Sequence, residues 1–169
     1  MRIRLTGRTG GIGSAIEEMV GEENITRERS DLDWLILAHG TIDENNPQKV
    51  ISVNTTLCIE EALEALPYLR KGIIFISSTS AMTANHNFPV YSASKAALNT
   101  FTLALAKAHP EKQFYALCPG PTETKMWQSL KLDGKTQSPE AVARVVKDII
   151  DGKYLENRII TVRDGIVTV

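Results

Sequence analysis

The sequence predicts an α/β domain in which helices pack on both faces of one parallel sheet. Three continuous apolar runs, at 34–38, 72–77 and 114–118, are typical of strands that are buried on both faces. Stretches with helical spacing of apolar residues lie between these runs. A glycine-rich turn at 7–13 joins a first strand to a first helix. Strands that alternate with helices favour a doubly wound, three-layer arrangement with right-handed crossovers.

The ends of the chain supply two further strands and a helix. The segment "RIRLT" at 2–6 alternates apolar and polar residues and predicts the first strand, and "SAIEEMV" at 14–20 predicts a short helix after the glycines. The segment "RIITV" at 158–162 is a weaker fifth strand candidate. We therefore expect five strands in the sheet.

Three longer helices are predicted from the spacing of apolar residues and from residues that are typical of helix ends. Apolar residues recur at i, i+3, i+4 and i+7 in a helix that begins near Thr55 and in another that begins near Tyr91. The third, "SPEAVARVVKDIIDG", has Ser138 as N-cap, Pro139 at the first helical position and Gly152 as its stop. The apolar positions that define the three stripes are Ile59, Ala62, Leu63 and Leu66; Ala97, Phe101, Ala104 and Leu105; and Val142, Val145, Val146 and Ile149.

Length and composition restrict the class of protein. The chain has 169 residues, 43% of them hydrophobic, with a net charge of −1, which predicts one domain over residues 1–169 and no nucleic-acid partner. No apolar run is long enough for a membrane span, and strand-like alternation at the start argues against a signal peptide. Cys58 and Cys118 lie in apolar contexts, which favours free thiols in a reducing, cytoplasmic compartment. The histidines show no metal-ligand spacing, so we expect no metal.

The segment "YSASK" places a phenol and an ammonium four residues apart at the start of a helix. Tyr91 and Lys95 would share one helical face and project into the same space. An isolated pair of this kind is more often an ordinary surface pair. The glycine turn is likewise a weak signal by itself, although its place between a strand and a helix favours a nucleotide phosphate.

Taken together, these motifs resemble those of the short-chain dehydrogenase/reductase family. "TGRTGGIG" looks like its Thr-Gly-x-x-x-Gly-x-Gly loop, "YSASKAAL" like its Tyr-x-x-x-Lys segment, and "CPGPTET" like its Pro-Gly-x-x-x-Thr loop. "DWLILAHG" stands in the place of the strand that ends in Asn-Asn-Ala-Gly, "VNTTLCIEEALEALPYL" in that of the next long helix, and "GIIFISSTS" in that of the strand that delivers a catalytic serine. The resemblance implies a Rossmann-like fold.

The resemblance also implies catalytic roles. Tyr91 would be the general acid/base, and Lys95, one turn on, would lower its pKa and bind the nicotinamide ribose. Ser78 lies thirteen residues before Tyr91, as in the family, and is preferred over Ser77 and Ser80 for the substrate oxygen. Asn54 would hold a water that relays protons to Lys95. Each of these residues also has an ordinary structural alternative, such as a helix cap or a turn hydroxyl.

A nicotinamide dinucleotide would occupy the remaining motif residues. The resemblance places the phosphates on the glycine loop, the nicotinamide beside the Pro-Gly loop, and its carboxamide on Thr124. His39 stands in place of a family alanine and His86 in a substrate-facing loop, and a structural role for His39 is favoured. The residues implied in cofactor binding, besides Tyr91 and Lys95, are Gly7, Arg8, Gly11, Ile12, Gly13, Arg27, Arg29, Ala38, Gly40, Pro119, Gly120 and Thr124.

The chain departs from the family between the first helix and the 34–38 strand. This interval is short, so we expect at most a short second strand at 24–26 and no third strand. Arg27 and Arg29 are two residues apart, and in an extended segment they would form a fork for a 2′-phosphate, which favours NADP over NAD. If Asp31 matches the family's adenine-side aspartate, its carboxylate at the ribose would favour NAD instead. The other interpretation is that Asp33 simply precedes the next strand, and the sequence does not decide between the two.

The leading hypothesis is an oxidoreductase that transfers a hydride between the nicotinamide cofactor and a small carbonyl or alcohol substrate. The alternative is a catalytically inactive nucleotide-binding sensor or scaffold of the same fold, which the shortened adenosine side favours. The helices near Thr55 and Tyr91 form a subunit interface in relatives and carry extra apolar residues here, including Leu57 and Leu103. We therefore expect a homodimer or homotetramer, the alternative being that these residues cover the sheet of a monomer.

Overall fold

The computed structural model describes residues 1–154, 158–164 and 166–168, and within them six strands form one sheet in the order β1-β2-β3-β4-β5-β6. The first five strands are parallel, and β6 pairs antiparallel with β5. The predicted α/β class with a doubly wound parallel sheet is confirmed, and a three-residue sixth strand adds to the five expected ones. The strands are β1 (Ile3–Thr6), β2 (Leu32–Leu37), β3 (Leu69–Ile76), β4 (Gln113–Pro119), β5 (Arg158–Arg163) and β6 (Ile166–Thr168).

Helices fill the connections between the strands. None of those in the described ranges is long and apolar enough to cross a membrane. A π-helical segment, Ser52–Thr56, joins α2 (Pro47–Ile51) to α3 (Leu57–Ala65), so this helical stretch begins at Pro47 and not near Thr55 as expected. The helices are α1 (Gly11–Val20), α2 (Pro47–Ile51), α3 (Leu57–Ala65), α4 (Ser80–Thr83), α5 (Pro89–Ala108), α6 (Lys125–Ser129) and α7 (Pro139–Ile150).

The predicted boundaries of α7 are confirmed. The Ser138 hydroxyl accepts a hydrogen bond from the Ala141 N–H at 3.3 Å, and Pro139 takes the first helical position. Gly152 follows the helix with a φ of 79°, which is a left-handed conformation that favours glycine. The apolar stripe of this helix is buried against the sheet.

Two apolar layers enclose the sheet, one on each face. Residues of β2 alternate between them: Trp34 and Ile36 pack in the layer with α1 and α7, whereas Leu35 and Leu37 pack in the layer with α3 and α5. All four side chains are essentially inaccessible to solvent. The three-layer prediction is confirmed by this arrangement.

The interval between α1 and β2 is as short as its sequence suggests. The expected second strand is reduced to a single parallel bridge between Ile3 and Ile25, with the Thr26 N–H donating to the Ile3 carbonyl at 2.9 Å. The structure describes every residue from 26 to 32, and residues 27–31 belong to no strand. The outer edge of β1 is therefore covered by only a few residues.

Candidate active site

A cavity of about 860 Å³ lies at the carboxyl ends of the parallel strands. Its walls come from the segments that follow β1, β2, β3 and β4, which is where ligands bind in sheets of this kind. Most of the residues implicated from the sequence line this one cavity: Gly7, Gly11, Ile12, Gly13, Ala38, Gly40, Ser78, Tyr91, Lys95, Pro119, Gly120 and Thr124.

The glycine turn has a backbone geometry that side chains would prevent. Gly7 has a φ of 71°, and a Cβ on it would lie 2.5 Å from the Ala38 carbonyl carbon at the end of β2. A Cβ on Gly13 would lie 2.1 Å from the Gly7 carbonyl oxygen. The start of α1, after Gly10, has no side-chain cap and no acidic residue in its first turn. The residues of this first turn line the cavity, and backbone N–H groups at an uncapped helix start suit an anion.

Tyr91 and Ser78 lie together on one wall of the cavity. Ser78 follows β3, and Tyr91 stands in the first turn of α5. Burial raises the pKa of the Tyr91 phenol, and its interaction with the Ser78 hydroxyl opposes that rise without cancelling it. The competing serines, Ser77 and Ser80, also line the cavity. The Ser77 hydroxyl donates to the Lys95 carbonyl at 3.1 Å, and Ser80 begins α4, with its N–H donating to the Ser78 hydroxyl at 3.1 Å. Of the three serines, only Ser78 interacts with the Tyr91 phenol. This placement supports the choice of Ser78.

Lys95 is buried beneath Tyr91. Its side chain is 3% exposed, and its ammonium donates to the Ile76 carbonyl at 2.8 Å at the end of β3. The ammonium lies 5.9 Å from the centroid of the Tyr91 ring. Burial lowers the pKa of Lys95. The pKa of Tyr91 is thus raised in the protein alone, and the net lowering expected from the sequence is not found there.

Asn54 is fully buried in the π-helical segment and does not line the cavity. Its Oδ1 accepts from the Thr41 N–H at 2.7 Å, and its Nδ2 donates to the Thr41 carbonyl at 2.8 Å and to the Ser94 hydroxyl at 3.0 Å. Both amide hydrogens are therefore used inside the protein. The side chain fixes the loop after β2 next to Gly40, where a Cβ would lie 3.3 Å from the Lys95 ammonium.

His39 has a structural environment although it reaches the cavity wall. Its Nδ1 is 2.7 Å from the Thr6 hydroxyl, and its Nε2 is 3.3 Å from the Cys58 thiol. Burial, aided by the charge of Lys95, lowers the pKa of His39. Burial raises the pKa of Cys58 to about 11. A neutral imidazole therefore lies against an un-ionised thiol, as expected for a structural pair.

The loop after β4 crosses to the glycine turn. The Gly120 N–H donates to the Val162 carbonyl at 2.8 Å, which fixes the loop to β5. Thr124 caps α6, its hydroxyl accepting from the Trp127 N–H at 3.2 Å, and a Cβ on Gly11 would lie 2.8 Å from its methyl group. The hydroxyl proton of Thr124 is left to donate to a ligand.

A second cavity of about 470 Å³ lies beside β1 and shares Thr9 with the first. Arg8 and Arg27 both line it, and Arg8 forms an ion pair with Glu17. Arg27 has no ion pair within the described ranges. Arg29 does not join Arg27 in a fork, contrary to the sequence prediction, because it forms ion pairs with Glu61 and Glu64 on α3. These carboxylates draw it to the face of the sheet that α3 covers.

Asp31 and Asp33 lie at the opposite end of the sheet. Asp31 directly precedes β2, whereas Asp33 is the second residue of that strand and does not precede it as expected; both therefore lie at the amino end of a parallel strand. Asp31 forms an ion pair with Arg70, and Asp33 accepts from Arg70 at 2.9 Å. Neither lines either cavity. The alternative in which Asp31 meets the adenosine ribose is therefore not supported by its position.

The structure places His86 away from the cavity. His86 is exposed and is not among the lining residues.

Sequence reasoning missed Glu44. Both oxygens of Glu44 accept from backbone N–H groups at the start of α5. No local signal could have revealed this contact, since it joins residues more than forty positions apart.

The chain has relatives among curated proteins and among solved structures. A curated relative, an uncharacterized oxidoreductase of Schizosaccharomyces pombe, is 27% identical over 128 residues, which are 69% of this chain and 52% of that protein. The chain thus spans about half the length of this relative. Among solved structures, the ligand-free aldohexose dehydrogenase of Thermoplasma acidophilum has a TM-score of 0.81 at 18% identity, covering 95% of this chain and 91% of that one.

A second solved structure is the short chain dehydrogenase of Burkholderia cenocepacia in complex with NADP, with a TM-score of 0.80 at 19% identity and 95% of each chain covered. At such identities these likenesses show the Rossmann-like fold alone. A family model described as short chain dehydrogenase matches residues 23–135, which hold Ser78, Tyr91, Lys95 and the Pro-Gly loop but not the glycine turn. Because that match covers well over half of the chain, this protein belongs to the short-chain dehydrogenase family.

Proposed function

We propose that residues 1–169 act as one catalytic domain, an oxidoreductase that interconverts an alcohol and a carbonyl compound with a nicotinamide cofactor. One observation carries the proposal: Ser78, Tyr91 and Lys95 line the same cavity as the glycine turn. A dinucleotide on that turn would therefore extend toward a hydroxyl, a phenol and a buried ammonium. The S. pombe relative, an uncharacterized oxidoreductase, supports the same class of activity.

The residues present fit a dinucleotide. Glycine at positions 7 and 13 allows the turn to pack closely, and the start of α1 has no side-chain cap. Its backbone N–H groups would therefore be available to a pyrophosphate. Thr124 and the Pro119–Gly120 segment would hold the carboxamide end, and Lys95 the nearby ribose. A bound nicotinamide supplies the position that gives or accepts a hydride.

The remaining chemistry belongs to side chains of this chain. In the direction of reduction, the Tyr91 phenol donates its proton to the carbonyl oxygen as the carbonyl carbon gains a hydride; in oxidation, the tyrosinate takes the proton of the alcohol. Ser78 donates a hydrogen bond to the same oxygen, and this bond strengthens as negative charge develops there. Lys95 is close enough to stabilise the tyrosinate once that charge forms.

NADP is the cofactor that we propose in preference to NAD. The second cavity extends from the glycine turn past the end of β1, where Arg27 is exposed and without an ion pair in the described part of the chain. An arginine at this position suits a 2′-phosphate. The carboxylates of Asp31 and Asp33, which would suit a free 2′-hydroxyl, are at the other end of the sheet. The B. cenocepacia structure is a complex with NADP.

A homodimer or homotetramer is also proposed. Leu57 and Leu63 on α3 are 43% and 52% exposed, and Leu103 on α5 is 41% exposed. Side chains this exposed contribute little to covering the sheet, which favours an assembly over the monomer alternative. A second copy of the chain would bury them.

The test is a titration of the purified protein with NADPH and with NADH, followed by a panel of aldehydes, ketones and secondary alcohols. We expect saturable binding of NADPH and cofactor oxidation with some members of the carbonyl panel. Binding without turnover of any compound would favour the nucleotide-binding sensor or scaffold. Absence of binding to both cofactors would refute the proposed function in either form.

A further inference from the structure

The helix that carries Tyr91 begins without a cap from its own neighbourhood. Phe88 occupies the N-cap position and provides no side-chain hydrogen bond, and Pro89 has no N–H to satisfy. The first two free N–H groups therefore belong to Val90 and Tyr91. Glu44, in the loop after β2, accepts from both: Oε2 from Val90 and Oε1 from Tyr91, each at 2.9 Å. A carboxylate at this end also interacts favourably with the helix dipole.

The carbonyl of Tyr91 is held from the other side. The Ser94 hydroxyl donates to it at 2.7 Å and itself accepts from Asn54 Nδ2 at 3.0 Å. Asn54 also holds both backbone groups of Thr41, three residues before Glu44. The loop between Thr41 and Glu44 is thus attached at both ends to the turn that carries the phenol.

We propose that Glu44 is a positioning residue for Tyr91, an inference that rests on the role of Tyr91 in the proposed function. Glu44 contacts only backbone N–H groups of α5 in these bonds, so it acts through the helix and not on the substrate. Its two bonds fix the first turn of α5 and with it the direction of the phenol toward Ser78. The same loop lines the cavity through Ile42, which links cavity shape to the position of the phenol.

The kinetic test compares Glu44→Ala and Glu44→Gln with a matched cap variant, Ser138→Ala. Ser138 caps α7 at 3.3 Å, and its helix carries no residue of the site. We expect kcat of Glu44→Ala to fall about tenfold to a hundredfold with the KM for cofactor nearly unchanged, since small displacements of a reacting group are costly. Glu44→Gln keeps one accepting oxygen and should fall less. Ser138→Ala should lose thermal stability but keep its kcat.

A second readout does not depend on turnover. The chain has four tyrosines, so NMR of protein labelled at the tyrosine Cζ gives few signals, and Tyr91→Phe assigns the relevant one. Glu44→Ala should displace the Tyr91 signal and shift its titration, whereas Ser138→Ala should leave both in place. If Glu44→Ala fails to fold, Glu44→Gln carries the same comparison.

The outcomes separate this inference from the proposed function. An unchanged Tyr91 signal in a folded Glu44 variant, together with a kcat no lower than that of Ser138→Ala, would show that Glu44 is an ordinary cap and overturn the inference. A displaced signal in the Glu44 variants, together with a wild type that turns over no compound, would support the positioning role and refute the oxidoreductase.

Discussion

The Lys95 ammonium lies 5.9 Å from the centroid of the Tyr91 ring, yet the pKa of the Tyr91 phenol is raised. Burial disfavours the charge on both groups, raising the pKa of the tyrosine and lowering that of the lysine. In the protein alone the phenol of this pair is therefore protonated. This state suits a proton donor, which is the role that we propose for Tyr91 in carbonyl reduction.

We expect Tyr91→Phe to reduce kcat about a hundredfold or more, the range for loss of a positioned acid or base. The affinity for cofactor should change little, because the hydroxyl serves the proton transfer. Steady-state kinetics and a cofactor titration measure the two effects separately. Retention of a tenth of the wild-type rate, as an order of magnitude, would contradict the role of Tyr91.

Lys95→Met should differ from Tyr91→Phe by weakening cofactor binding as well as turnover.

Lys95→Met should also leave the folded state at least as stable as in the wild type. Since the folded pKa of Lys95 lies below its unfolded value, the protonated lysine opposes folding at every pH below the unfolded pKa. Methionine removes that buried charge, so the variant should unfold at the same temperature or higher. A melting curve tests this directly. A clear loss of stability would show that the bond to the Ile76 carbonyl outweighs the cost of burial.

The fold was predictable because its signals are local. The apolar runs of β2, β3 and β4 and the punctuation of α7 at Ser138 and Gly152 are each contained in a few adjacent residues. The start of the helical stretch at Pro47 was missed, since no regular apolar stripe precedes the π-helical segment.

The site was predictable only in part, because much of it depends on contacts between distant segments. The ion pairs that draw Arg29 to Glu61 and Glu64 join residues more than thirty positions apart. The bonds from Glu44 to the start of α5 are longer-range still. The raised pKa of Tyr91 follows from burial, which the residue types at 91–95 do not reveal.

His39 should make the folded state less stable as the solution becomes acidic. Its folded pKa lies below the unfolded value of 6.5, so below about that pH the unfolded chain binds the proton first. Stability then falls by at most about 1.4 kcal/mol per pH unit, until the folded pKa is passed. We expect His39→Ala to flatten the dependence of unfolding free energy on pH between about 7 and 5. His86→Ala, which replaces a histidine at an exposed position, is the matched control for the substitution.

The assembly should depend on the exposed leucines of α3 and α5. We expect sedimentation to give a dimer or tetramer for the wild type, and a monomer for the double variant Leu57→Glu/Leu103→Glu. Tyr68→Glu, which also alters a side chain more than half exposed but lies just before β3, should leave the assembly intact. A monomeric wild type at micromolar concentration would refute the proposed assembly.

The choice of cofactor should depend on Arg27 and not on Arg29. Arg27 lines the cavity beside the glycine turn without an ion pair in the described ranges, whereas Arg29 is occupied by two carboxylates of α3. Arg27→Ala should therefore raise the Kd for NADPH about tenfold, the value of one charged hydrogen bond, and leave that for NADH unchanged. Arg29→Ala is the matched control, since it removes the same charge two residues away. Fluorescence titration with NADPH and with NADH measures the ratio of the two Kd values in the wild type, in Arg27→Ala and in Arg29→Ala. A wild type that prefers NADH, or equal ratios in wild type and Arg27→Ala, would show that Arg27 does not recognise a 2′-phosphate. An altered ratio in Arg29→Ala alone would restore that role to Arg29.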